Sequence, residues 1–151
     1  MIGVWVLLAA VLVAVLIGLA VRRRSGSVRP VTAGAPAELA SLLAEAGFTH
    51  PSGTPLLLHF SAPWCGPCAG VRRVVDQIAG ELPWLGHLEV DVTEHPQLSA
   101  ALRVLSLPTV LVYDASLQQR FRVAGAPSVG DLRAVLAPMA PGDAVPGSAD
   151  G

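Results

Sequence analysis

The stretch LLLHFSAPWCGPC, from Leu56 to Cys68, holds both cysteines of the chain and decides how the rest is read. Leu56 to Phe60 is apolar but for His59, the pattern of a short strand covered on both faces. Behind the cysteines, Val71, Val74, Val75, Ile78, Ala79 and Leu82 recur at three- and four-residue spacing as far as Pro83. That spacing predicts an amphipathic helix whose N-terminus carries Cys65. A Cys-x-x-Cys therefore falls at a strand-to-helix junction. The unpaired backbone N–H groups and partial positive charge of a helix start favour a thiolate on the first cysteine. The thiolate is the form that attacks disulfides. The second cysteine, one turn on, is placed to resolve the mixed disulfide. Other uses fit less well. A structural disulfide closing so short a loop removes little unfolded-state entropy. A zinc site needs two further ligands, and His50, His59, His87 and His95 show no paired ligand spacing. No metal and no cofactor are expected.

Outward from this junction, helices and strands alternate. Residues Val28 to Thr32 suit a short edge strand. Pro36 opens a helix carrying Leu39, Leu42, Leu43 and Ala46, which Gly47 stops. His87 to Val92 reads as a strand, Pro96 opens a short helix with Leu98, Ala101 and Leu102, and Thr109 to Tyr113 is strongly β-favouring. Arg120 to Ala124 alternates as a half-exposed edge strand does. Ser128 and Asp131 form a capping pair for a last helix with Leu132, Val135 and Leu136. The order implies an α/β domain, a central mixed sheet flanked by helices on both faces. The Pro/Gly/Ala tail, residues 138–151, has nothing to bury and is expected to be disordered.

The N-terminus is a separate segment. Residues Ile2 to Val21 are uncharged and almost wholly apolar, and Arg22, Arg23 and Arg24 follow at once. As a helix the run is about 30 Å long, the thickness of a bilayer's hydrocarbon core. A secretory signal has its positive charge before a shorter run, and uniform apolarity over twenty residues argues against a buried core helix. Residues 2–21 are thus expected to be a single transmembrane helix and residues 22–35 a basic linker. The positive-inside rule puts the arginines in the cytoplasm, with the N-terminus outside and the domain inside. A net charge of −1 gives no electrostatic case for nucleic acid.

WCGPC (Trp64 to Cys68), SLPT (Ser106 to Thr109) and AGAPSVGDL (Ala124 to Leu132) occur in that order, and together they resemble the thioredoxin family over residues 28–137. The resemblance implies a thioredoxin fold and a thiol–disulfide oxidoreductase acting on protein disulfides. It makes Cys65 the attacking thiolate and Cys68 the buried resolving thiol. Trp64 covers the site, and Pro108 is cis and leaves the backbone of Leu107 free to pair with an extended substrate. Gly125 and Ala126 complete an apolar rim. Gly66-Pro67 is the dipeptide of reducing thioredoxins, whose potential is near −270 mV against about −120 mV for a strongly oxidising relative. An upstream thiol reductant such as a thioredoxin reductase is implied as partner.

Two positions depart from the family pattern. His59 stands where a buried aspartate is usual, and Glu89 where its lysine partner is usual, so an acid and a base are exchanged. One reading pairs His59 with Glu89 beneath the site to handle the proton of Cys68, a neutral imidazole serving as base while the carboxylate fixes its tautomer. The other makes His59 a neutral core residue and Glu89 a solvated one. Ser61, replacing a common aromatic, is expected to have no direct part in the chemistry. Three functions remain open: a membrane-tethered cytoplasmic disulfide reductase, an extracytoplasmic reductant in cytochrome c maturation or disulfide repair, and a non-catalytic adaptor in a membrane complex.

Overall fold

The structure is a computed structural model that describes residues 2–24, 28–30, 36–51 and 53–141. The chain runs through helix α1 (Ile2–Arg24), strand β1 (Val28–Pro30), helix α2 (Pro36–Glu45), strand β2 (Leu56–Ser61) and helix α3 (Cys68–Glu81). It continues with strand β3 (Gly86–Asp91), helix α4 (Pro96–Ala101), strands β4 (Thr109–Tyr113) and β5 (Gln119–Ala124), helix α5 (Val129–Leu136) and a 3-10 turn, Ala137–Met139.

Every position of β2 is buried, as its apolar run requires. On one face Leu57 packs with Val71, Val75 and Ile78 of α3 and with Leu132 and Leu136 of α5. On the other, Leu56, Leu58 and Phe60 pack with Leu39 and Leu43 of α2 and Leu98 of α4. Each such side chain contributes about 1.5–3 kcal/mol of transfer free energy when fully buried. The sheet is thus sandwiched between two helical layers. Its core is the mixed order β5-β4-β2-β3, and the three-residue β1 adds to the β5 edge. Strands β2 and β3 are parallel, which their helical crossover through α3 allows, and the other pairings are antiparallel.

Local chemistry sets the element ends. Gly47 takes φ +81° after α2, a conformation open to glycine, and the N–H of Phe48 donates to the carbonyl of Leu43 at 2.8 Å. Ser128 and Asp131 make the expected reciprocal capping box at α5. Helix α3 starts later than expected, at Cys68, with Pro67 as its N-cap. Pro67 has no N–H to leave unpaired there, and Cys65 stands in the turn that leads into the helix rather than on its first turn. The packed chain also runs past Leu136, since Met139 lies against the α3–α5 core. Residues 142–151 of the expected tail, and Val31 and Thr32 of the expected edge strand, lie outside the described residues, as do linker residues 25–27 and 33–35.

The apolar N-terminal run is helical, and its large side chains described between Val4 and Leu19 are exposed. Among the described residues no helix is long and apolar enough to cross a membrane.

Candidate active site

Strand β2 ends at Ser61, and the turn beyond it carries both sulfurs. The N–H of Cys65 donates to the carbonyl of Ala62 at 3.0 Å, and that of Cys68 to the carbonyl of Cys65 at 3.1 Å. The two cysteines are joined as a disulfide with their Cα atoms 5.4 Å apart. Their environments differ. Cys65 is half-buried, whereas Cys68, on the first turn of α3, is 1% exposed. One sulfur is presented and the other is covered.

A groove of about 420 Å³ opens on one side of Cys65, between Trp64, Gly66 and Pro67 and the segment Val104 to Leu107. Apart from Cys65 its lining has no ionisable side chain. Trp64 is 72% exposed and Leu105 94%, unusual for side chains of their size. The Leu107–Pro108 peptide is cis, as expected. The N–H of Gly125 donates to the carbonyl of Pro108 at 2.8 Å from a backbone with φ +99°, where a Cβ would be disfavoured. This bond ties the loop before α5 to the proline loop, with Ala126 exposed beside it.

The opposite side is polar. A pocket of about 500 Å³ is lined by both cysteines together with Ser61, Arg72, Glu89, Asp91, Glu94 and His95. Arg72 lies one helical turn beyond Cys68 on α3 and grips Glu89 of β3 with two hydrogen bonds, Nε at 2.8 Å and an NH2 group at 2.6 Å. The Ser61 hydroxyl donates to the same carboxylate at 2.6 Å. The Arg72 hydrogen bonds, with help from Ser61 and against partial burial, hold Glu89 down at about 2.

The Thioredoxin family model matches residues 45–137. The chain belongs to the thioredoxin family. It is a thioredoxin-like thiol–disulfide oxidoreductase, and Cys65 and Cys68 are its disulfide-forming pair. Over 105 residues it is 35% identical to the M-type chloroplastic thioredoxin of Chlamydomonas reinhardtii, covering 62% of this chain and 75% of that one. It is 38% identical over 63 residues to thioredoxin 1 of a Nostoc strain, covering 41% and 59%. Among solved structures it superposes on Fasciola hepatica thioredoxin with a TM-score of 0.54 at 27% identity, over 68% of this chain and 92% of the other. Thioredoxin O2 of Arabidopsis thaliana in its oxidised state, 24% identical, shares the fold with a TM-score of 0.54, over 71% and 90%.

Within this thioredoxin frame the exchanged pair divides. His59 and Glu89 are register partners across β2 and β3. The carboxylate, however, faces Arg72 and Ser61 rather than the imidazole, so the expected tautomer-fixing hydrogen bond is not made. His59 is fully buried, and neither ring nitrogen has a hydrogen-bond partner among the described residues. Burial lowers it to about 4, against the opposing pull of the Glu89 charge, so the ring is neutral at pH 7. That burial disfavours an imidazolium at this position. Glu89 lines the pocket that reaches the sulfurs, and His59 is not part of that lining. The pocket adds two residues that sequence reasoning passed over. Arg72 carried a signal, its four-residue spacing from Cys68 on one helix face. Ser61, which the sequence reading set aside, is a wall of the polar pocket because it shares a sheet face with Glu89.

Proposed function

We propose that this thioredoxin is tethered to a membrane and reduces protein disulfides. The observation that carries the reading is the asymmetry of the pair, a presented Cys65 beside an uncharged groove and a covered Cys68 behind it. The reduced enzyme attacks one substrate sulfur with the Cys65 thiolate and expels the other as a thiolate. Cys68 then loses its proton and attacks Cys65, releasing the second substrate sulfur and closing the Cys65–Cys68 disulfide. Two electrons pass to the substrate, whose two thiolates take up the proton released by Cys68 and a second from solvent, and an upstream dithiol reductant, such as a thioredoxin reductase, restores the enzyme.

Trp64, Gly66, Pro67, Leu107, Pro108, Gly125 and Ala126 bound the surface where an extended substrate lies. The proton of Cys68 leaves into the polar pocket, where Glu89 stands on the wall, whereas His59, a neutral imidazole, is not part of that lining. The Gly66-Pro67 dipeptide supports the reductive direction. The uncharged run Ile2 to Val21, whose large apolar side chains described between Val4 and Leu19 are exposed, with Arg22 to Arg24 after it, supports a single-pass anchor with the domain on the cytoplasmic side. Insulin reduction by the full chain, paired with a reporter fused at the C-terminus, tests this. Reduction lost in Cys65→Ser and a cytoplasmic reporter are expected. A chain inert towards insulin, or a reporter read outside, contradicts the activity and the topology respectively.

A further inference from the structure

The tether and the disulfide meet at one end of the domain. The disulfide lies beyond the C-terminal end of β2, where Phe60 pairs with Thr109 at the start of β4. Thr109 pairs in turn with Ala124, the last residue of β5. Strand β1 runs antiparallel to β5, with Val28 opposite Val123 and Pro30 opposite Phe121. The first residue of β1 therefore sits at the same end of the sheet as Pro108, Gly125 and the turn that carries Cys65. Arg24 closes the apolar helix, and Val28 is four residues on. Such a span reaches no more than roughly 14 Å even when fully extended. From the β1 edge to β2 is three strand spacings, again roughly 14 Å. Had β1 paired in the opposite direction, the length of the sheet, roughly 20 Å, would separate the tether from the sulfurs.

A second observation agrees. Trp64, Gly66, Pro67, Leu105, Ser106 and Ala126, exposed at this end, are uncharged, and the exposed residue nearest to Leu105 in sequence that bears a charge is the cationic Arg103. Arg72, Glu89, Asp91 and Glu94 line the polar pocket together with the two cysteines. A surface of uncharged residues bearing a tryptophan, with an arginine beside it, can approach a headgroup layer without burying an anion.

Resting on the membrane-tether reading above, we infer that the domain is held with its active end towards the bilayer, and that its substrates are disulfides of membrane proteins in uncharged segments close to the membrane surface. The short tether gives such disulfides a high effective concentration at Cys65 and denies it to those held further out. Each turnover oxidises one Cys65/Cys68 dithiol and reduces one substrate disulfide, so a pre-reduced enzyme needs no other reductant for a single turnover.

The test uses the full chain, pre-reduced, in phosphatidylcholine/phosphatidylglycerol vesicles with single-span peptides that hold a cystine about 10 Å or about 40 Å above the bilayer on a helical spacer of ~1.5 Å per residue. The single-turnover rate is read by alkylation and mass. We expect the near cystine to be reduced at least about tenfold faster, consistent with tethered effective concentrations. Insertion of ~30 Gly/Ser residues after Ser27, with an r.m.s. reach of roughly 30 Å, should bring the ratio towards one while insulin reduction stays unchanged. Equal rates, or a faster far cystine, in a chain that floats with the vesicles overturn the orientation alone. A chain that does not float overturns the anchor and this inference with it. A chain that reduces neither peptide nor insulin overturns the redox reading on which both rest.

Discussion

His59→Leu has a signed and sizeable effect on stability versus pH. His59 is fully buried without a partner for either ring nitrogen, and its folded value is about 4 against 6.5 for the free side chain. Between those values the unfolded chain binds a proton at this position that the folded chain refuses. The stabilising contribution is complete above pH 6.5 and is lost as pH falls towards 4, at about 1.4 kcal/mol per pH unit and about 3 kcal/mol in all. Leucine cannot titrate, and it removes two unpaired polar atoms whose burial costs on the order of 1–3 kcal/mol. The variant should be at least as stable as the native chain at pH 7.5, and its advantage should grow by about 3 kcal/mol on going to pH 4. His87, also lowered by burial, contributes with the same sign, but it is present in both proteins and cancels in the difference. Glu89 is shifted within a lower window, from 4.5 to about 2. The assay is urea unfolding followed by tryptophan fluorescence at pH 7.5, 6, 5 and 4. A stability difference that stays flat across that range, or a leucine variant clearly weaker at pH 7.5, would refute the placement of a neutral, unpartnered histidine in the core.

Three further outcomes follow from the same geometry. Arg72→Met should raise the Glu89 titration from about 2 towards the ordinary carboxylate range, read by carboxyl NMR, and stability at pH 7 should fall by about 1.4 kcal/mol for each unit that the titration moves. Leu105→Ser removes a side chain that is 94% exposed, so stability should hold within about 0.5 kcal/mol while KM for protein disulfides rises and the rate on a small disulfide does not change. Phe60→Ala empties the α2–α4 side of the core and should cost about 3–5 kcal/mol in urea unfolding, with the disulfide still able to form.

The parts of the molecule legible from sequence are those where one segment carries its own signal. The wholly buried β2 and the β-branched run of β4 announced themselves by composition, the α5 cap by Ser128 and Asp131, and the strand-to-helix placement of the cysteines by the change of period on either side. The cis peptide at Pro108 and the loop at Gly125 were reached only through resemblance, since no local pattern dictates them. What eluded sequence reasoning depends on register. Arg72 and Glu89 are 17 residues apart, and they meet because β3 pairs in parallel with β2 beneath α3. Once Arg72 and Ser61 take the carboxylate, His59 has nothing left to bond, and a pair that looks complementary in sequence comes apart. The start of α3 moved for a more local reason, because Gly66-Pro67 makes a turn before the first helical residue.

The central claim is that Cys65 attacks substrate disulfides and Cys68 resolves the product. Trapping tests it most directly: the reduced Cys68→Ser chain is mixed with an oxidised protein substrate, quenched in acid and weighed. The account predicts a stable one-to-one mixed disulfide through Cys65, absent in Cys65→Ser and short-lived in the native enzyme. A mixed disulfide that forms as readily through Cys68 in Cys65→Ser, or none in Cys68→Ser, would contradict it.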